Sequence, residues 1–211
     1  MRPHYSPMMI RPFLGLVGLI LIYIFWQRDL TMLFLIWNLF LALLPLYFSK
    51  QVQLNRKFSW VWAGLWLLFF PNAAYLITDL VHLQMRKSPG FWLDAVILFS
   101  SGMFGIFSSL ISLNRIETWY RRFIPGKWSP VLTLGLLLLT GYGIYLGRIE
   151  RWNSWDIILD PFELLRSMAH EIRHPLHYLH TWVLSSIFSC ILGLAYLMFR
   201  DYRKHQIVPQ V

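Results

Sequence analysis

The sequence predicts an all-α protein, a polytopic transmembrane bundle of about six helices that forms a single membrane domain over residues 1–211. Hydrophobic residues make up 57% of the chain and charged residues 14%, whereas soluble domains average about 45–50% and about 25%. Several apolar stretches are long enough to cross a bilayer core of about 30 Å. The alternating pattern of a membrane barrel strand is absent from the sequence, so we expect these stretches to be helices.

Six spans are predicted, at residues 10–26, 30–48, 58–80, 91–113, 129–147 and 182–199. The first is short and must include Ile10–Pro12 to reach across the bilayer, so five spans are the alternative. The third contains Pro71, which has no N–H to donate to the carbonyl of Leu67. We therefore expect the third helix to kink or break at Pro71.

The net charge of +9 comes from basic residues that are distributed among the loops as the expected topology requires. The N-terminal tail, the second and fourth loops and the C-terminal tail together hold 12 Lys and Arg, whereas the other three loops hold 7. Because cytoplasmic loops are enriched in Lys and Arg, both termini are expected in the cytoplasm. The lipid bilayer is therefore the expected partner of the basic residues, and no nucleic acid is expected.

The last outer loop, Arg148–Thr181, contains a predicted helix. Asp160 is placed as its N-cap, Pro161 at its first position, and Glu163 as the residue that completes a capping box. Apolar residues then recur at helical spacing until Pro175. This pattern predicts an amphipathic helix that lies on the outer membrane interface and ends before Pro175.

The strongest local signal for a site follows Pro71. Asn72, Tyr75, Asp79 and His82 are spaced three, four and three residues apart, which places them on one face of a helix. Membrane proteins often build binding sites from a proline-interrupted helix followed by polar residues.

More polar residues are expected at the same membrane level. Asp94 enters the fourth span there, and Arg148 and Arg151 leave the fifth span as candidate counter-charges for the carboxylates. The candidate exofacial pocket comprises Asn72, Tyr75, Asp79, His82, Asp94, Arg148, Arg151, Asn153, Trp155 and Asp156. The alternative is that these residues pair with one another to fix the helix register and bind no ligand.

Residues 170–174 match the H-E-x-x-H pattern of zinc proteases. In that pattern His170 and His174 would bind zinc and Glu171 would act as the general base. Pro175 follows His174 directly and disfavours helical geometry there. No cofactor is therefore predicted, and zinc remains the open alternative.

Small residues recur at four-residue intervals on three spans and permit close approach of helices. The rows are Ser101/Gly105/Ser109, Gly143/Gly147 and Ser185/Ser189/Gly193. Packing within the chain is the usual use of such rows, and a homo-oligomer through these faces is the alternative.

Two stretches, Phe70–Leu83 and Gly147–Asp156, resemble the DUF1361 family of bacterial and archaeal membrane proteins. The first carries Ala74 where the family commonly has proline. The resemblance implies a multi-span protein of a prokaryotic cytoplasmic membrane, and it brings no assigned activity. The H-E-x-x-H stretch lies outside both segments.

Three hypotheses for function remain open. The first is a binding or transport module whose pocket holds a polar small molecule or a lipid headgroup. The second is a membrane-embedded enzyme that acts on a lipid-linked substrate, with Asp79 or Asp94 as the base, assisted by His82. The third is an accessory or assembly subunit that has no small-molecule site.

Overall fold

The computed structural model describes residues 9–28, 30–85 and 90–207, and all regular structure within these ranges is helical. Residues 1–8, 29, 86–89 and 208–211 lie outside them, and they include Arg2, Arg86 and Lys87 of the basic residues counted above. The α-helices are α1 Ile10–Gln27, α2 Leu33–Leu54, α3 Ser59–Tyr75, α4 Phe91–Tyr120, α5 Ser129–Arg148, α6 Asp156–Leu159, α7 Pro161–Arg173 and α8 Leu179–Ile207. Short 3₁₀ helices occupy Leu30–Met32, Arg56–Phe58 and Leu76–Met85.

Within the described ranges, six helical segments are long and apolar enough to cross a membrane, which confirms the predicted fold class with six spans. The first segment is 18 residues long and includes Ile10–Pro12, as the six-span prediction requires. The helices also extend beyond the predicted spans, since α4 continues to Tyr120 and α8 reaches Ile207. Because successive spans alternate in direction, we name the two ends of the bundle by a buried acid that each carries, the Asp79 end and the Glu117 end.

The predicted break at Pro71 is wrong in its position. Helix α3 continues through Pro71 to Tyr75, and only then does the backbone tighten into the 3₁₀ helix Leu76–Met85. The proline ring lies against Gly143 of α5, where an added Cβ would come within 2.7 Å of Pro71 Cγ. Neighbouring helices can accommodate a proline in this way, so the helix does not break there.

Two clusters of buried side chains form the core. One surrounds Trp66 and Phe70 of α3 and includes Tyr196 of α8. The other surrounds Leu35 of α2 and Leu98 of α4. Helix α4 contributes to both clusters and therefore lies at the centre of the bundle.

The small-residue rows pack inside the chain. A Cβ on Gly105 would come within 2.2 Å of the carbonyl oxygen of Ala73, and one on Gly141 within 2.1 Å of the carbonyl oxygen of Ser185. The chain's own helices thus cover these faces. A homo-oligomer stays a prediction, and it would need another surface.

Helix α7 begins at Pro161 and ends before Pro175, as predicted, but its predicted capping box is wrong. The side chain of Asp160 makes no capping hydrogen bond. Asp160 also terminates α6, where its backbone N–H donates to the carbonyl of Asp156 at 2.8 Å, and this fixes its backbone. The helix is amphipathic, with Leu164 buried and Phe162 82% exposed.

Candidate functional site

The centre of the candidate site is an ion pair between Asp79 and Arg148. The Nη2 atom of Arg148 lies 2.6 Å from Oδ1 of Asp79, whose side chain is only 1% exposed. The arginine side chain is 17% exposed, and its Cζ lies 4.5 Å from the ring centroid of Tyr75. The guanidinium therefore has both a carboxylate partner and an aromatic partner.

Two polar residues outside the predicted site complete this pair. Asn38 of α2 donates from Nδ2 to Oδ2 of Asp79 at 3.0 Å. Thr78 accepts from Nε and Nη2 of Arg148 at 2.9 and 2.7 Å, and its own hydroxyl donates to the carbonyl of Tyr75 at 2.6 Å. Both carboxylate oxygens are thus hydrogen-bonded, and the network joins α2, the 3₁₀ helix and α5.

His82 lies at the edge of the same network. Its Nε2 atom is 3.9 Å from Oδ1 of Asp79 and 3.5 Å from Nη1 of Arg148. The imidazole ring also contacts the ring of Phe34, with the centroids 4.9 Å apart. Tyr75, Asp79, His82 and Arg148 therefore come together as the sequence predicts.

Asp94 belongs to a different contact. Its side chain is fully buried, and the hydroxyl of Tyr23 donates to its Oδ1 atom, which joins α4 to α1. Among the described residues, Asp94 does not line the cavity described below, and the start of α4 presents its side chain to Tyr23 of α1.

Arg151 is a predicted site residue that takes no part in the ion pair of Asp79. Its backbone is left-handed, with φ of 61°, and its side chain is exposed. Within the described part of the chain it forms no ion pair with Asp79. The turn after α5 directs Arg151 outward, and Arg148 is the described arginine that supplies the counter-charge.

Residues 152–157 lie over α3 and are held there by Ser154. Asn72 donates from Nδ2 to Oγ of Ser154 at 2.9 Å, and that hydroxyl donates to the carbonyl of Leu68 at 3.1 Å. The ring of Trp155 packs against Trp37 of α2, with the centroids 6.3 Å apart. This segment thereby bridges α2 and α3.

Asn153 and Asp156 form a local turn. Oδ2 of Asp156 accepts from the backbone N–H of Asn153 at 2.6 Å and from its Nδ2 at 3.3 Å. Asp156 therefore starts α6 and lies outside a cavity on whose wall Asn153 lies.

That cavity, of about 330 Å³, lies between α2, α3 and α5, with residues 152–157 and α7 as its roof. Most of its wall is apolar. The polar residues on it are Asn38, Asn72, Tyr75, Thr140, Tyr142, Asn153 and Ser154. Two lining residues, Trp37 and Leu139, are 53% and 55% exposed. The rim of the cavity therefore reaches the surface of the bundle that faces lipid.

The roof helix α7 is fastened to α5 by one buried hydrogen bond. The hydroxyl of Tyr142 donates to Oε2 of Glu171 at 2.8 Å, and Glu171 is 2% exposed. Burial raises the pKa of Glu171, as does nearby Glu150, while the Tyr142 hydrogen bond, His180 and His170 act in the opposite direction.

The H-E-x-x-H residues do not share one face of α7 turned to a common centre. The rings of His170 and His174 are 4.9 Å apart and exposed, but Glu171 is bonded to Tyr142. His174 lies beyond the last helical residue. Among the described residues, no group of three or more His, Cys, Asp or Glu could hold a metal ion. Zinc at this position stays an untested prediction.

A further buried carboxylate, which the sequence analysis missed, lies at the Glu117 end. Glu117 is 4% exposed and lies 2.5 Å from Nη2 of Arg121 and 3.9 Å from Nη1 of Arg200. The hydroxyls of Tyr196 and Ser129 also donate to it. The i, i+4 spacing of Glu117 and Arg121 was the available sequence signal. This cluster joins α4, α5 and α8.

Six apolar helices, with buried carboxylates paired at the two ends of the bundle, define a multi-pass membrane protein. Residues 37–195, most of the chain, match the family described as "Protein of unknown function (DUF1361)". The chain belongs to the DUF1361 family. Comparison with curated proteins and with solved structures gave no match.

Proposed function

We propose that this DUF1361 protein binds an amphipathic molecule of the membrane, a lipid or a lipid-like compound, in the cavity between α2, α3 and α5. The observation that carries the proposal is a largely apolar cavity of about 330 Å³ whose rim lies on the lipid-facing surface. This volume is in the range of small-molecule sites, which are mostly apolar with a few placed polar groups.

Lateral entry from the bilayer fits the position of the rim. Trp37 and Leu139 line the cavity and are about half exposed, so an apolar chain can move past them without crossing water. Moving such a chain from lipid into protein gains little hydrophobic free energy, because both surroundings are apolar. Selectivity must therefore come from the shape of the cavity and from its polar residues.

The roof of the cavity supports the same function. Ser154 fastens residues 152–157 to α3, and Glu171 fastens α7 to Tyr142, which itself lines the cavity. The roof lies at the Asp79 end, where helices meet the aqueous phase. It shields a bound ligand from water while the lateral rim stays accessible.

The ion pair at the site positions the cavity wall and does not contact the ligand. Asp79 is almost completely buried, and all its oxygens are already hydrogen-bonded. Arg148 binds Thr78 and stacks on Tyr75, a wall residue. The pair therefore holds the 3₁₀ helix in register with α5.

We place the protein in a prokaryotic cytoplasmic membrane, as its resemblance to DUF1361 implies. We place both termini in the cytoplasm because of the Lys and Arg bias between its loops. The Asp79 end and the cavity roof are then exofacial. The ligand accordingly comes from the outer leaflet of that membrane.

The test is retention of lipid by two matched variants. Leu146 lines the cavity, whereas Leu138, on the same helix, is 47% exposed and lies outside it. Leu146→Trp fills the cavity and is expected to abolish the lipid that copurifies with the wild type, as detected by native mass spectrometry. Leu138→Trp is expected to retain it. Equal lipid retention by the folded variants would refute the proposal.

A further inference from the structure

The wall of the cavity carries no charge. Within the described part of the chain, its polar side-chain groups are the amides of three asparagines, the hydroxyls of tyrosine, threonine and serine, and the indole N–H groups of three tryptophans, with no acidic or basic side chain among them. This differs from the carboxylate-and-arginine pocket that the sequence suggests.

Arg148 is prevented from acting as a cation in the cavity. Its charge is compensated by Asp79 at 2.6 Å, and its guanidinium stacks on the ring of Tyr75 at 4.5 Å. Tyr75 lines the cavity and Arg148 does not. A ligand therefore meets the tyrosine ring where the sequence suggests an arginine.

An anionic head group would lose its hydration in this cavity without gaining a cation. Burial of an ionised group without a partner is far more costly than burial of a hydroxyl or a carbonyl, which needs only a hydrogen bond. The uncharged wall therefore discriminates against phosphate and favours neutral polar groups.

The asparagines suit a hydroxyl-bearing head group. Asn38 and Asn72 each donate one amide hydrogen within the protein, to Asp79 and to Ser154. An asparagine side chain has a second N–H and a carbonyl oxygen, so each of the two can still donate to and accept from a ligand.

We infer that the ligand is a lipid with an uncharged, hydroxyl-bearing head group, of the acylglycerol or glycosylglyceride class. The inference rests on the proposed function and specifies the ligand for the same cavity. The indole rings of Trp37, Trp152 and Trp155 on the wall add apolar faces and N–H donors, which suit hydroxyl-bearing groups.

The experiment compares two lipids with the same acyl chains, one with a neutral hydroxyl head group and one with an anionic phosphate head group. Purified protein in phosphatidylcholine nanodiscs is supplied with equal amounts of dioleoylglycerol and dioleoylphosphatidate, and the bound lipid is measured by native mass spectrometry. We expect dioleoylglycerol to be favoured at least about tenfold. A glycosylated dioleoylglycerol, run in parallel, distinguishes the two neutral head groups. Equal or preferential binding of phosphatidate overturns the inference, as does failure of both neutral lipids to bind.

A positive charge introduced into the roof tests the same inference, because it should reverse the preference for a neutral head group. Met168 of α7 lines the cavity, whereas Phe162 of the same helix is 82% exposed and does not. Met168→Arg is expected to shift the preference at least about tenfold toward phosphatidate, and Phe162→Arg is expected to leave it unchanged. If the lipid retained by the wild type is anionic and Leu146→Trp loses it, this inference is overturned and the proposed function stands. Lipid that survives Leu146→Trp overturns the proposed function.

Discussion

Nη2 of Arg148 on α5 lies 2.6 Å from Oδ1 of Asp79 on the 3₁₀ helix, although the two residues are 69 positions apart in the sequence. The contact joins the two segments that carry the resemblance to DUF1361, Phe70–Leu83 and Gly147–Asp156. Because the carboxylate is buried, the pair matters more for stability than an exposed pair of the same type.

Loss of the arginine is expected to be strongly destabilising. Arg148→Met leaves the Asp79 carboxylate buried without a counter-charge, which costs about 3–5 kcal/mol in the free energy of unfolding. The control is Arg166→Met, since Arg166 and its partner Glu163 have 82% and 61% exposed side chains and such pairs contribute about 0–1 kcal/mol. Unfolding of each variant in detergent measures the difference, and equal losses would contradict the role of burial.

The same pair can be tested by a double-mutant cycle. Asp79→Asn combined with Arg148→Met removes both charges, so the double variant is expected to lose less stability than the sum of the two single losses. Additive losses would show that the two side chains are not coupled.

Close packing of α3 and α4 gives a second prediction. Gly105→Ala places a Cβ within 2.2 Å of the carbonyl oxygen of Ala73, so one helix must move, at a cost of about 1–3 kcal/mol. Gly18→Ala is the control, because nothing lies within 4 Å of its added Cβ. Melting temperatures of the two variants compare the effects, and an unchanged melting temperature for Gly105→Ala would contradict the close approach.

The roof is expected to weaken as the pH rises. The pKa of Glu171 is raised above its usual value of 4.5, so the folded state binds the proton more tightly than the unfolded state. Its contribution to stability is therefore full below pH 4.5 and is lost as the pH rises through the folded-state pKa. Relative to Glu171→Gln, the melting temperature of the wild type should fall as the pH rises from 4.5. A constant difference between the two proteins would refute this prediction.

Metal removal is expected to leave the protein intact. Glu171 is bonded to Tyr142, and His174 lies beyond the end of α7, so the H-E-x-x-H residues are not arranged around one centre. Treatment with a chelator should leave the melting temperature and the retained lipid unchanged. Stoichiometric zinc that is lost in His170→Ala and His174→Ala would establish the alternative.

The proposed orientation can be tested with single cysteines in a Cys190→Ser background. Leu176 is 87% exposed at the Asp79 end, and Gly126 lies in the loop between α4 and α5 at the other end. We expect an impermeant thiol reagent to label Leu176→Cys on intact cells and Gly126→Cys only after permeabilisation. The reverse pattern would place the cavity roof in the cytoplasm.

The spans could be predicted from the sequence because bilayer thickness and hydropathy alone set their length. The pairing of Asp79 with Arg148 could be predicted as well, since a carboxylate at the edge of a span needs a partner. The contact of Asp94 with Tyr23 could not, because it depends on how α1 and α4 are rotated about their axes. The bond between Glu117 and Tyr196 depends in the same way on the placement of α8.

Pro71 shows a further limit of the sequence. A proline predicts a local disturbance of the helix, but its effect depends on what lies beside it. Gly143 leaves room for the ring, so α3 continues, and the backbone changes its geometry only after Tyr75.

The 3₁₀ geometry of Leu76–Met85 constrains the number of residues between the end of α3 and Asp79. With about three residues per turn, Leu76, Asp79 and His82 stand in a single row along the segment. One inserted or deleted residue before Asp79 would turn this row by about 120° and separate the carboxylate from Arg148. The spacing between the end of α3 and Asp79 is therefore fixed by geometry, and the segment can vary in composition far more readily than in residue number.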